Sequence, residues 1–333
     1  MVRAQLEPSQ GDIRDENATG HVYAFVLLNS QQHGSLPSTA TAGAEQGSET
    51  PSTEQPMPAI AIIQARMSSS RLPGKVLEPL AGQPMIWHIV QRARVCQRVD
   101  QVVVATSVQS SDDQLAAFCV ETDIPCHRGS LHNVLSRYLE VLDAHPHSYC
   151  VRITGDCPLI DPDFIDRQIL ALAAHDGDIV WLSEATPVLA GAGALSTRSL
   201  RFMAANSNHP DDLEHVGSRY LADHPHLFRI IGMHPPKVFT DANCRVTVDE
   251  AADYAMMRHL YAALWQGEPI GLGDALHWMA EHPDLAGQNQ DVQHSAINQE
   301  LAAKRQAWAR HVDLFCDWDE PGVLVTSNNQ SNP

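Results

Sequence analysis

The residues best equipped for chemistry lie in the run Gln64-Ala65-Arg66-Met67-Ser68-Ser69-Ser70-Arg71-Leu72-Pro73-Gly74-Lys75. Three full positive charges (Arg66, Arg71, Lys75), three hydroxyls and a glycine fall within one turn-forming stretch. These are the partners a polyphosphate needs: charged donors, hydroxyl donors and backbone N–H groups that can approach closely. Gly74 permits that approach and Pro73 stiffens the bend. The chain has only three lysines, Lys75, Lys237 and Lys304, and otherwise uses arginine. The stretch is not the common P-loop, of which only Gly74-Lys75 remains, with Val76 following. Nor is it a dinucleotide-binding glycine turn, and Gly191-Ala192-Gly193 lacks the strand-turn-helix unit that such a turn requires. Charge alone leaves a solvated Ser/Arg loop open as the other reading; position directly after an apolar strand favours the phosphate loop.

Two carboxylates stand in comparable places. Asp156 follows the apolar run Tyr149–Thr154 through Gly155, with Pro158 fixing the turn behind it, and Asp249 follows a second apolar run and opens a helix. Acids at strand ends suit Mg²⁺, which takes one or two carboxylates with phosphate oxygens and waters. For Asp249 the alternative is an ordinary helix N-cap. Asp161 and Asp163 flank Pro162 and read as helix-start residues.

The elements that must position these groups alternate. Ala59–Ala65 is a continuous apolar run of the kind a strand buried on both faces shows. Pro84–Cys96 has the spacing of a helix with Met85, Ile86, Ile89, Val90 and Ala93 inward. Strands are expected over 102–106, 124–127, 149–154 and 178–182. Helices are expected over 111–120 (capped by Ser110 or Ser111), 131–144 and 163–174. The pattern predicts a mostly parallel sheet covered on both sides, with ligands at the carboxyl ends of its strands. The second half is less regular, with helices expected over 197–206, 212–222, 250–264, 272–281 and 294–310 and strands over 228–234 and 244–248. No internal repeat is present.

The run IIQARMSSSRLPGKVLEPLAGQPMIWH, Ile62 to His88, resembles the opening of the cytidylyltransferases that activate acidic sugars, above all the spore-coat polysaccharide biosynthesis F family. Enzymes making the CMP forms of ketodeoxyoctulosonate and neuraminic acid are more distant relatives. The resemblance continues through Arg128-Gly129, the segment Asn133–Tyr138, the segment VRITGDCPLID at 151–161, Glu214-His215-Val216 and RVTVDE at 245–250, covering most of 59–285 in the expected order. It implies a three-layer α/β fold of the nucleotide-diphospho-sugar transferase (GT-A-like) type with a mostly parallel central sheet. It implies CTP and a small sugar-type acceptor as partners, and Mg²⁺ held by Asp156 and Asp249. Arg66, Ser69, Arg71, Gly74 and Lys75 would hold the phosphates, and Gln64 and Ala65 would lie beside the base. Arg128, Asn133, Arg137 and Thr154 would border the nucleotide, though Arg137 also reads as a solvated helix residue. Lys75, Arg71 and Asp156 are the expected catalytic groups. The resemblance breaks between Pro187 and Leu200. There the family carries a glycine followed by acidic residues on a strand facing the acceptor, and this chain has the uncharged Val188–Leu195. Either the acceptor differs from the family's usual ones or acceptor chemistry is lost. Other readings on the same fold are a glycosyltransferase using a nucleotide sugar and a non-catalytic nucleotide binder.

Composition sets the outer bounds. The chain has 333 residues, is 44% hydrophobic and carries a formal net charge of −18. That balance argues against a duplex-binding protein, which shows a basic face. No run is long enough to span a membrane. Seven cysteines without a C-x-x-C pair read as reduced thiols, and the location expected is the cytoplasm. Loop histidines in His145-Pro146-His147 and His224-Pro225-His226 read as surface residues, not zinc ligands. Residues 1–56, rich in Ser, Thr, Gln, Gly and Pro from Asn29 onward, read as a disordered extension. The nucleotidyltransferase domain is expected over 57–318, with Met57 as the natural start, and 319–333 is expected as a disordered tail. A homodimer is one assembly open to it.

Overall fold

The computed structural model describes residues 59–242, 244–289, 300, 303–304, 307–312 and 314–325. The chain divides into two units, Met1–Ser52 and Thr53–Pro333, and every described residue lies in the second. The extension expected over 1–56 therefore lies outside the described residues, as does 326–333.

The strands in chain order are β1 (Ala59–Gln64), β2 (Pro79–Leu80), β3 (Gln83–Pro84), β4 (Val99–Ser107), β5 (Cys126–Gly129), β6 (Tyr149–Thr154), β7 (Ile179–Leu182), β8 (Ala192–Ser196), β9 (Ile230–Met233), β10 (Leu314–Cys316) and β11 (Leu324–Val325). The helices are α1 (Met85–Arg94), α2 (Asp113–Glu121), α3 (Val134–Ala144), α4 (Pro162–Ala174), α5 (Thr197–Asn206), α6 (Pro210–Glu214), α7 (Ser218–Asp223), α8 (Lys237–Thr240), α9 (Ala251–Leu264), α10 (Leu272–Glu281) and α11 (Pro283–Ala286). A nine-stranded sheet runs in the order β11-β10-β9-β7-β8-β6-β1-β4-β5, and β2 and β3 form a separate hairpin. β8 is antiparallel to both its neighbours and β11 is antiparallel to β10; the remaining ladders are parallel.

Strand alternation divides the core into two layers. Ala59, Ala61 and Ile63 pack with α1, α2, α4, α9 and α10 on one face. Ile60 and Ile62 pack with α3, α5 and α7 on the other. β1 is buried almost throughout, which is why its sequence is apolar without alternation. From β1 the chain goes to β4 and β5 on one side, then crosses back to β6 on the other. The crevice at the carboxyl ends of β1 and β6 is thus a topological switch point, the place where such sheets bind ligands.

Local chemistry explains most boundaries. Asn133 caps α3 by accepting from Ser136 N, and Asp161 caps α4 ahead of Pro162. The serine cap expected for α2 is not made, because Ser110–Asp112 forms a 3₁₀ turn. The carboxylate of Asp112 turns back instead and accepts from Met67 N at 2.7 Å, Ser107 N at 3.2 Å and Ser107 Oγ. The helix expected over 212–222 is two helices, broken where Val216 and Gly217 adopt positive φ of 57° and 73°. The strand expected over 244–248 joins no ladder. Its alternating buried Val246 and Val248 line an extended segment held by Val248 N to Asp156 O at 2.8 Å, which has a strand's period without a strand's partner. Of the helix expected over 294–310, much lies outside the described residues, and Ala307–His311 is a 3₁₀ turn. Residues 319–325, placed above in the tail, are described, and Leu324–Val325 pairs with Phe315 and Cys316.

Asp112 is fully buried and joins three donors from two segments. Asp112→Ala strands those donors without replacing them. It is expected to lower unfolding stability by about 2–4 kcal/mol, read by urea denaturation.

Candidate active site

Lys75 stands at the centre of the crevice. Its side chain is 9% exposed, and its Nζ donates to Asp156 Oδ2 at 2.9 Å, to Val248 O at 2.7 Å and to Asp249 Oδ1 at 3.2 Å. Two segments far from it in sequence are thus brought onto one ammonium group. A left-handed Gly74 (φ 78°) begins the 3₁₀ turn Lys75–Leu77, and Gly74 N bonds back to Met67 O at 2.8 Å. That closed loop aims Lys75 inward, while Val76 anchors it in the core.

Asp249 is held from the other side. Arg71 reaches its Oδ1 at 2.7 Å and Arg245 reaches its Oδ2. Arg245 Nε also pairs at 2.9 Å with Asp253, which is fully buried and accepts from the backbone N–H groups of Asp249 and Glu250 at 2.8 and 2.9 Å. Asp249 is therefore not the N-cap of α9; Glu250 is, in a capping box with Asp253. Sequence reasoning gave Arg245 and Asp253 no role. The available signal was the pair of charges, Arg245 and Asp253, spaced four residues either side of Asp249.

Burial pushes the carboxyl pKa of Asp156 up. The charge of Lys75, with hydrogen bonds from Lys75, Thr154 and Cys157, outweighs that and holds it below the usual carboxylate range. Burial, then the charge of Asp156, pushes the Cys157 thiol well up, so at neutral pH it is a protonated donor and not a nucleophile.

The two strand ends that carry this machinery touch. Gly155 N donates to Gln64 O at 2.9 Å, and a Cβ on Gly155 would lie 2.9 Å from both that oxygen and Ala65 Cβ. Thr154 N donates to Gly191 O at 2.9 Å, and Gly191, at φ 93°, would place a Cβ 2.3 Å from Cys157. The uncharged segment before β8 thus packs against the turn bearing Asp156. Val188 and Leu189 are buried, and Ala192–Ser196 pairs with β6, so its lack of charge follows from its place inside the sheet.

The other expected residues are placed unevenly. Ala65 is buried at the strand end and Ser69 is half-buried in the loop. Arg66 reaches out to Glu214 at 3.1 Å, with both side chains well exposed. Arg128 donates to the carbonyls of Ser107 and Gln109 and pairs with Asp113 at 2.7 Å, bracing the β4–α2 turn. Arg137 is not the solvated helix residue allowed for above: it is buried under the sheet and donates to Ala105 O at 3.1 Å. The histidines flanking prolines make protein hydrogen bonds, His147 to Asp100 and His224 to Tyr220 O. Five of the seven cysteines are buried and all are free.

Two carboxylates already sharing one cation, in reach of a basic loop, fit a divalent ion completed by phosphate and water. Among the described residues no set of three or more His, Cys, Asp or Glu side chains gathers for a metal, and no helix is long and apolar enough to cross a membrane.

Similarity to known proteins places the chain in a family. A family model described as cytidylyltransferase matches residues 60–263. The spore coat polysaccharide biosynthesis protein SpsF of Bacillus subtilis is 31% identical over 229 residues, 68% of this chain and 95% of that protein. A 3-deoxy-manno-octulosonate cytidylyltransferase of Neisseria gonorrhoeae is 27% identical over 65% of this chain and 89% of its own length. Among solved structures, a cytidylyltransferase from Leptospira borgpetersenii serovar Hardjo-bovis is similar at a TM-score of 0.64, with 24% identity, covering 71% of this chain and 99% of that one. The fold is the three-layer nucleotide-sugar transferase type. This chain belongs to the cytidylyltransferase family, and it is a nucleotidyltransferase.

Lys75→Met removes the leading opponent of burial at Asp156, so the Asp156 carboxyl pKa is expected to rise, read by carbon-detected NMR titration. The sign extends to stability. A folded pKa below the unfolded one contributes stability above about pH 4, lost as pH falls through the folded value. Wild type is therefore expected to lose more stability than Lys75→Met over that acid range.

Proposed function

We propose that this protein uses CTP and a divalent ion, Mg²⁺, to transfer CMP to a sugar acid in the synthesis of surface polysaccharide, releasing pyrophosphate. The observation that carries the reading is the single ammonium group shared by Asp156 and Asp249 beneath a loop bearing Arg66 and Arg71. The two relatives' names, one for spore coat polysaccharide and one for a sugar acid, supply the acceptor class.

The reaction joins an acceptor oxygen to the α-phosphorus and breaks the bond to pyrophosphate. Charge gathers on the leaving oxygens, so catalysis rests on positioning and electrostatic stabilisation. Asp156 and Asp249 would hold Mg²⁺, which when bound supplies Lewis acidity to the phosphoryl oxygens. In the free protein Lys75, together with Arg71 and Arg245, offsets the charge of that carboxylate pair. With nucleotide bound, Lys75, Arg71 and Arg66 are the chain's own charges available to the pyrophosphate. Arg71 and Arg245 brace Asp249. Gly155 and Gly191 keep the turn bearing Asp156 close against β1 and β8, where a side chain would force it away. The metal and nucleotide roles rest on the resemblance together with this convergence.

Asp156→Asn and Lys75→Ala are each expected to reduce pyrophosphate release by about 10²–10³-fold with the fold kept. Isothermal titration with CTP, UTP, GTP and ATP in the presence of Mg²⁺ is expected to show binding of CTP in preference to the other three. Equal binding of all four, or near-normal release by either variant, would remove the reading.

A further inference from the structure

One charged side chain near the crevice has no place in the phosphate machinery. Arg152 lies on β6, and alternation puts it on the face away from Val151 and Ile153, in register with Ile62 of β1 and Gly193 of β8. That face is otherwise apolar, packing against α3, α5 and α7. The Arg152 Nε donates to Gln64 Oε1 at 3.1 Å, an oxygen that also accepts from Tyr138 at 3.2 Å. Among the described residues no carboxylate pairs with it.

Most other arginines at the crevice differ. Arg66 has Glu214, Arg71 and Arg245 have Asp249, and Arg128 has Asp113, while Arg137 is buried and donates to Ala105 O. In a chain with 40 acidic and 22 basic residues, an acid is the abundant partner. A half-buried guanidinium left without one is a costly feature that a ligand anion would relieve.

Two neighbours make room for such a ligand. Gly193 lies directly across from Arg152 on the same face, and a Cβ built there meets nothing within 4 Å. His215 ends α6 just before the backbone break at Val216 and Gly217. Burial, then the charge of Arg152, lowers its imidazole pKa, so it stays neutral at pH 7 and adds no second cation. The phosphate side is separate: Lys75 sits with Val76 and Val248 in the opposite core layer. The ends of β1 and β6 thus carry cations on both faces, one set for the polyphosphate and, on the other face, the half-buried Arg152.

We propose that Arg152, with the open space over Gly193 and His215 beside it, forms the acceptor's anion subsite and takes the carboxylate of the sugar acid. This rests on the cytidylyltransfer reading of the same crevice. A planar guanidinium with its two terminal nitrogens free receives a carboxylate in two parallel hydrogen bonds. Docking the acid there leaves the acceptor's hydroxyl side facing the strand ends where the phosphate cluster lies. The uncharged approach to β8 then has a function: an acid there, as in the related proteins, would compete for Arg152.

The test measures pyrophosphate release and CTP titration for wild type, Arg152→Gln, Arg152→Lys and Gly193→Val. The acceptors are 3-deoxy-manno-octulosonate, N-acetylneuraminate and glucuronate, each beside its uncharged methyl ester. Wild type is expected to use at least one acid and to favour it over its ester by about tenfold or more. Arg152→Gln should raise KM for that acid by a similar factor with the CTP Kd unchanged, and Arg152→Lys should recover part of the loss. Gly193→Val keeps the charge and fills the space; it should weaken acid use alike, which covers the case of an Arg152 variant that fails to fold. Equal use of acid and ester, no acid used by protein that binds CTP, or an Arg152→Gln effect on CTP itself each overturns the inference. Absence of CTP binding by wild type instead removes the underlying reading.

Discussion

The site depends on one nearly buried ammonium group. A lysine ammonium with 9% of its side chain exposed is costly to hold unless negative partners meet it. Lys75 finds two carboxylates and a carbonyl, contributed by residues 81, 173 and 174 positions away. Those contacts fix where the turn after β6 and the segment before α9 must lie relative to the loop after β1. Removing the cation would leave two acids facing each other; removing either acid would leave the cation short of a partner. The arrangement therefore stands or falls as a set, and the same set is what a divalent ion and a polyphosphate can enter by exchange of charge for charge.

The topology makes that convergence possible at low cost in chain geometry. β1 lies between β6 and β4, and the chain reverses direction of progress across the sheet at this point. Loops leaving adjacent parallel strands at their carboxyl ends are forced side by side. Two small contacts then set their spacing: Gly155 against Gln64 and Ala65, and Asp112 gathering Met67 and Ser107. The first works because a hydrogen atom occupies the space a methyl group would contest. The second works because a buried carboxylate with three donors holds the start of the phosphate loop to the end of β4. Behind them Arg92, fully within the core, donates to the carbonyls of Ile160 and Ile270 and ties α1 to the segment after Asp156.

Much of this was legible in the sequence because the informative features are local. A strand buried on both faces leaves an unbroken apolar run, as at 59–64, and a basic loop directly after it is visible without coordinates. β6 and the helices α1, α3, α4, α9 and α10 carry their own periodicity, and α3, α4 and α9 their own caps. β8 was not legible, since Ala-Gly-Ala-Leu-Ser has neither bulk nor alternation; its strand character comes entirely from pairing with β6 and β7. The opposite error occurred at 244–248, where alternation reflects packing of Val246 and Val248 with no ladder. At the site the single charges were readable, but their partners were not. Arg128 and Arg137 look alike in sequence; one braces a turn at the surface and the other is buried under the sheet. Such differences depend on which backbone carbonyls face inward, which no spacing in the chain records.

The uncharged segment before β8 shows how one local departure from a family pattern is to be weighed. Taken alone, loss of acidic residues there suggests loss of the acceptor site. The structure places the segment in the middle of the sheet, with Gly191 against Cys157 and Gly193 opposite Arg152. A side chain at Gly191 would collide with Cys157, and an acid at Gly193 would sit in open space opposite Arg152 and take its charge. The crevice is therefore divided: Asp156 and Asp249 lie on the face that holds Lys75, and on the opposite face no carboxylate of the described residues pairs with Arg152. In nucleotidyl transfer the acceptor oxygen approaches the α-phosphorus of the nucleotide opposite the departing pyrophosphate, and under the proposed reading acceptor and nucleotide are both anionic. A sheet end with cations on both faces and neutral backbone between them meets that electrostatic requirement without placing two anions on a single group.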